Sequence, residues 1–294
     1  MPASSANLGP GFDAFGLALA IRDEIDVEVV EGPTRVHIDG AGAGEVPLGE
    51  DHLVVRTIRN TLAALGASAA GLSLSCRNSI PHGRGVGSSA AAIVSGVVAV
   101  RGLLPDPGML KDEQVLQLAT DAEGHPDNAA ASLFGGVVLG WMSGQRAHAV
   151  SLRPDPAVRA VAAIPDGELS TAKARAMLPA TVPHADAAFV AGRAALLVEA
   201  LTRHPEYLLD ATDDRLHQGY RAGAMPGSAQ LLRRCRQAGL AATISGAGPS
   251  VLVLGVGEDL ADRVEEVATS VAPGAWSISP AGISDEGAML HSMS

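Results

Sequence analysis

The chain has 294 residues, 47% of them apolar and 18% charged, a composition that belongs to a folded globular protein and excludes intrinsic disorder. Lys and Arg number 21 against 32 Asp and Glu, a net charge of −11, which argues against nucleic acid as a partner while leaving a small anion within reach of local arginines or backbone N–H groups. Aromatic residues at 3% exclude a base-stacking platform, and Cys76 and Cys235, the only cysteines, exclude a disulfide framework or a paired-cysteine metal site.

The opening residues Met1–Asn7 lack the basic and apolar regions of an export signal. Leu72, Leu74 and Cys76 alternate with polar residues, which predicts a strand. A breaker-rich loop follows over Asn78–Gly87. A mostly apolar helix follows over Ser88–Leu104, with Ser88 and Ser89 in capping positions. The apolar run within it, Ala90–Leu104, is interrupted by Ser95, Gly96, Arg101 and Gly102 and is too short to cross a bilayer. The expectation is therefore a cytoplasmic protein with no membrane partner. Lys111–Asp121 is amphipathic, and Val137–Trp141 and Val158–Ile164 are β-rich runs. In the second half, His184–His204 reads as a long helix and Ser228–Gln237 as a basic amphipathic helix that Gly239 can end. Ala241–Ser245 and Ser250–Leu254, joined by Gly246-Ala247-Gly248-Pro249, read as a hairpin; a helix over Asp259–Val271 and a strand over Trp276–Ile278 complete the pattern. The mixture predicts an α+β fold with a division near residue 150.

The sharpest local feature is Pro81-His82-Gly83-Arg84-Gly85-Val86-Gly87-Ser88-Ser89-Ala90-Ala91, set between the predicted strand and the apolar helix. Its three glycines let the backbone approach a ligand closely, and a helix N-terminus offers unpaired N–H groups to a phosphate. Ser88 and Ser89 add hydroxyls for a phosphate oxygen or Mg²⁺. A Walker loop is ruled out because no Lys follows the last glycine, and the dinucleotide pattern fails because Ser stands at 88. An ordinary tight turn before a helix is the plain alternative.

That loop resembles the second motif of the GHMP small-molecule kinases. Pro2-Ala3-Ser4-Ser5-Ala6-Asn7-Leu8-Gly9-Pro10-Gly11-Phe12-Asp13-Ala14-Phe15-Gly16 is similar to the N-terminal motif of their homoserine-kinase branch. Glu123-Gly124-His125-Pro126-Asp127-Asn128, followed by Phe134-Gly135-Gly136, is similar to the same branch, and Ile244-Ser245-Gly246-Ala247-Gly248-Pro249-Ser250 resembles the C-terminal glycine motif. The sequence departs from the family in three places. Only Met1 precedes Pro2, where an earlier strand is usual, so an edge strand is expected to be missing. Val86 replaces the commoner Leu, and Gly219 precedes Tyr220-Arg221 where Pro is frequent.

The resemblance implies a GHMP kinase fold. A ribosomal-protein-S5-like nucleotide domain would span 1–150 and a ferredoxin-like α/β-plait domain 151–294. It implies ATP-dependent phosphorylation of the hydroxyl of L-homoserine, on the route to threonine, with Mg²⁺. Residues Pro81–Ala91 would hold the ATP phosphates, and Ser88 and Glu123 the metal. Arg175 and Arg221 would meet the substrate carboxylate, and Asp13 and Asp127 its ammonium. Asn7 and His125 would line the substrate pocket, and Asn128 would stand beside the attacking hydroxyl. Asn cannot take a proton, so no strong side-chain base is expected. A homodimer stays open. Competing readings are another GHMP kinase, acting for instance on mevalonate or shikimate, or a catalytically silent binding protein on the same scaffold.

Overall fold

In a computed structural model that describes residues 1–291, the chain forms eleven strands and ten α-helices among the described residues. The first half contains strands β1 (Pro2–Ala6), β2 (Phe15–Arg22), β3 (Glu24–Val30), β4 (Arg35–Gly40), β5 (Gly71–Asn78), β6 (Val137–Ser143) and β7 (Arg146–Leu152). Its helices are α1 (Leu53–Ala64), α2 (Ser88–Leu103), α3 (Asp112–Glu123) and α4 (Pro126–Phe134). The second half contains β8 (Val158–Pro165), β9 (Ala241–Ile244), β10 (Val251–Val256) and β11 (Trp276–Ser279). With them come α5 (Thr171–Ala176), α6 (His184–Thr202), α7 (Leu208–Ala211), α8 (Gln218–Arg221), α9 (Pro226–Gln237) and α10 (Leu260–Val271).

The strands form three sheets, in the orders β1-β2-β6-β7, β3-β5-β4 and β11-β8-β10-β9. The third is wholly antiparallel and, with α9 and α10, follows a βαββαβ path with the ferredoxin-like strand order. The expected hairpin is present, with Val251 opposite Ile244 and Leu254 opposite Ala241. The alternation read at 72–76 also holds: Leu72, Leu74 and Cys76 are buried against Val54, Val55 and Ile58 of α1. One face of the β8–β11 sheet packs on α9 and α10 through Val161, Val253, Leu231, Cys235 and Val264. Its other face shares a core with the first sheet and α6, in which Leu17, Leu19, Ala160, Leu252, Leu197 and Leu201 meet. A continuous core of this kind holds the two halves at a fixed spacing, and so fixes the cleft between them.

The final segment returns to the first half. Ser284 N–H donates to the Ala18 carbonyl, and the Arg22 guanidinium donates to the carbonyls of Glu286 and Gly287. Among the described residues β1 lies at the edge of its sheet, paired with β2, and its five residues are buried. One detail differs from the sequence-based expectation. The helix after the glycine loop is capped by Gly87, in the left-handed region at φ 74°, and not by Ser88 or Ser89, whose hydroxyls lie in the first turn and make no cap hydrogen bond. Only a residue without Cβ fits there, because a Cβ on Gly87 would lie 2.1 Å from Ser4 Oγ.

Candidate active site

The cleft between the halves has about 200 Å³ of open volume. Along one side, Gly83, Gly85, Gly87, Ser88 and Ser89 line it. The loop is held chiefly through its own carbonyls. Val86 C=O accepts from Ser4 N–H at 3.1 Å, Gly83 C=O from Leu169 N–H at 3.0 Å, and Arg84 C=O from Ser250 N–H at 3.2 Å. Ser245 Oγ donates to the Gly85 carbonyl at 2.6 Å. The buried Asp23 accepts from the amides of Ser79 and Ile80 at 2.6 and 2.9 Å and so fixes where the loop leaves β5. Loop carbonyls are thereby satisfied by the scaffold, which leaves the glycine-rich rim and the first turn of α2 facing the cleft. The remaining loop residues stand behind it. Pro81, His82, Val86, Ala90 and Ala91 do not line the cleft, and the Arg84 guanidinium is occupied by the carbonyls of His82, Pro165 and Asp166.

Glu123, at the C-terminal end of α3, faces that helix start across the cleft. The hydroxyl that meets it is that of Ser89, which donates to Oε2 at 2.9 Å; Ser88 lines the cleft without this contact. Burial pushes the Glu123 carboxyl above its ordinary pKa, partly offset by the Ser89 hydrogen bond. One half-buried carboxylate, two hydroxyls and room for phosphate oxygens form an all-oxygen donor set that suits Mg²⁺, which commonly takes one or two protein carboxylates and completes its shell from phosphate and water.

The turn from α3 into α4 carries the next group. His125 Nδ1 meets Asp127 Oδ1 at 2.7 Å, and this hydrogen bond raises the imidazole pKa above its usual value. The same oxygen accepts from the amide of Asn128 at 2.7 Å. Ser4 Oγ donates to Asn128 Oδ1 at 3.0 Å. Asn128 lines the cleft, and with its oxygen engaged by Ser4 its amide Nδ2 is left as a donor.

The other side begins with loop 7–13. Asn7, Leu8 and Asp13 all have positive φ (72°, 45° and 56°), a costly conformation for residues with a Cβ and one that tends to persist where surroundings over-determine it. Asn7 is nearly buried and works as a latch. Its Nδ2 donates to the Gly246 carbonyl at 2.9 Å and its Oδ1 accepts from Asp13 N–H at 3.0 Å. Asp13 in turn pairs bidentately with Arg175 of α5, at 2.7 and 2.9 Å. Both of the carboxylates expected to meet a substrate ammonium are therefore already paired inside the protein, Asp13 with Arg175 and Asp127 with His125.

Arg221 has the opposite status. It is 2% exposed, yet its partners are the imidazole of His217, the Gly246 carbonyl and the face of Phe12, with no carboxylate in salt-bridge reach among the described residues. Its Nε has no partner. A buried guanidinium without a counter-ion is expensive unless a ligand supplies the anion. Phe12 lies between two cations, with Arg175 Cζ 5.5 Å and Arg221 Cζ 5.2 Å from its ring centroid. Sequence reasoning missed Phe12 and His217. His217 stands four residues before Arg221, a helical spacing that puts both on one face and offered the signal. All the substrate-side residues read from the sequence (Asn7, Asp13, His125, Asp127, Asn128, Arg175 and Arg221) line this one cleft.

Residues 52–136 match the family model described as GHMP kinases N terminal domain, and residues 187–273 that described as GHMP kinases C terminal. A homoserine kinase of Streptomyces coelicolor is 49% identical over 291 residues, covering 99% of this chain and 93% of that one. One from Mycobacterium tuberculosis is 53% identical over 270 residues, covering 90% and 85%. Among solved structures, homoserine kinase from Cytophaga hutchinsonii superposes with a TM-score of 0.85 at 26% identity, covering 97% of this chain and 94% of that one.

Proposed function

Given that the chain belongs to the GHMP kinases, and within them to the homoserine kinases, we propose that this cleft transfers the terminal phosphoryl group of ATP to the side-chain hydroxyl of L-homoserine, giving O-phospho-L-homoserine on the route to threonine in the cytoplasm. The observation that carries this reading is Arg221, a buried cation without an anion, across the cleft from a glycine-rich phosphate loop.

Phosphoryl transfer needs in-line positioning and neutralised charge more than covalent help. The rim Gly83–Gly87 and the first N–H groups of α2 hold phosphate oxygens through backbone donors and the positive helix end. Glu123, Ser89 and Ser88 would hold Mg²⁺, which when bound would neutralise charge on the transferring phosphates. Asn128 donates through Nδ2 to an oxygen at the reacting centre, its own oxygen being fixed by Ser4. As Asn128 cannot accept the proton, the alcohol is activated by position and field, and its proton leaves late, to phosphate oxygen.

The amino acid is recognised by exchange of ion pairs. Its carboxylate binds Arg221 and the guanidinium edge of Arg175, and its ammonium takes up the Asp13 carboxylate that Arg175 releases, with Asp127 close by. Because the Asp13–Arg175 pair is partly exposed, with side chains 37% and 40% accessible, parting it costs little.

Steady-state kinetics of Arg221→Ala test the reading. A lost buried charge-assisted contact of about 2–4 kcal/mol raises KM for L-homoserine by about 30- to 1000-fold, with KM for ATP nearly unchanged. An unchanged homoserine KM contradicts the assignment.

A further inference from the structure

We infer that His217, as a neutral imidazole protonated on Nε2, is a positioning residue that aims the Arg221 guanidinium at the substrate carboxylate and ties it to the strained loop 7–13. The inference rests on the proposed homoserine reading and extends it to a residue outside the substrate's reach.

The tautomer follows from the partners. Nε2 lies 2.7 Å from the Gly9 carbonyl, which can only accept, so Nε2 carries the proton. Nδ1 lies 3.2 Å from Arg221 Nη1, which can only donate, so Nδ1 presents its lone pair. A second proton would point at the guanidinium, and His217 has no exposed surface through which water could relieve it. Burial pushes its pKa below the ordinary value, in keeping with a neutral ring.

The ring is itself held in place. The amides of His217 and Gln218 donate to Asp214 Oδ2 at 3.0 and 2.8 Å, and Phe12 packs on the imidazole with ring centroids 5.0 Å apart. Gly9 sits close against the next segment at φ +85°: a Cβ added there would lie 2.4 Å from the Thr212 carbonyl. Without the Nδ1 acceptor, Nη1 of Arg221 keeps only the 3.3 Å contact to Gly246 C=O, and the guanidinium swings out of register with a carboxylate.

Two amide substitutions separate the two bonds. His217→Gln keeps a donor for Gly9 and removes the acceptor for Arg221. His217→Asn keeps an acceptor in the Nδ1 position and removes the donor. The expected result is a homoserine KM raised on the order of ten-fold or more in His217→Gln, with a much smaller change in kcat and in KM for ATP. In His217→Asn the homoserine KM is largely restored and the thermal midpoint falls instead. Equal effects of the two substitutions on homoserine KM, or an unmoved KM in His217→Gln, overturn the inference while leaving the reaction assigned. A wild-type chain that does not phosphorylate L-homoserine overturns the reading and the inference together. Should a variant fail to fold, nitrogen-15 shifts of His217 in the wild type decide the matter. A lone pair on Nδ1, with and without L-homoserine, supports the inference, and a proton on Nδ1 overturns it.

Discussion

Glu123 illustrates how a side chain can serve chemistry against stability. Its folded pKa is raised by burial, so its contribution to stability is full below the unfolded value and is lost as the pH rises through the folded one. At neutral pH the ionised carboxylate is thus a burden on the empty protein. Glu123→Gln keeps an acceptor for Ser89 and removes the buried charge, so the metal-free thermal midpoint at pH 7 is expected to rise by about 1–3 °C. Mg²⁺-dependent turnover in that variant is expected to fall about 100-fold or more. Calorimetry of the metal-free protein and steady-state kinetics check the two statements. Asn128 provides the second case. In Asn128→Asp the new carboxylate faces Asp127, Glu123 and a triphosphate, and turnover is expected to fall about ten-fold or more. A rise instead would mean that base catalysis was available and that positioning was not sufficient.

At the scale of elements, the glycine loop depends on the C-terminal hairpin as much as on its own glycines. A Cβ on Gly85 would lie 2.4 Å from the Ser245 carbonyl and 2.7 Å from that of Gly248, and φ there is +77°. Gly85→Ala is expected to part loop from hairpin, costing about 2–4 kcal/mol of stability and raising KM for ATP more than KM for homoserine; denaturant titration and kinetics measure both. The loop and the 241–254 hairpin were legible because turn residues mark them directly, and β5 because Leu72, Leu74 and Cys76 alternate. The strands β1 to β4 were not. The burial of all five residues of β1 arises from contacts with α2 and α4, and no local period announces it. Likewise Ser89, not Ser88, reaches Glu123, a difference of one helical step that residue type cannot resolve. The pairing of Asp13 with Arg175 escaped for the same reason: 162 residues separate them, and each alone looked like a substrate contact.

For the molecule as a whole, the cleft exists because two halves share one core and bring complementary chemistry to its edge. The first half contributes the glycine loop, Glu123 and Asn128, and the second contributes Arg175 and Arg221, with the buried His217 behind Arg221. A surface of net charge −11 is compatible with the proposed triphosphate site, which would act through backbone donors at contact distance while the distant surface charge is screened. Among the described residues no helix is long and apolar enough to cross a membrane. The central claim is that the acceptor is recognised at both charged ends while its alcohol faces the phosphate loop. The most direct measurement is ADP release with L-homoserine, 3-amino-1-propanol, 4-hydroxybutanoate and mevalonate, which in turn keep both charges, drop the carboxylate, drop the ammonium, or present a branched hydroxy acid. The account predicts a kcat/KM for L-homoserine at least about 100-fold above each of the others; equal turnover of mevalonate or of 4-hydroxybutanoate would contradict it.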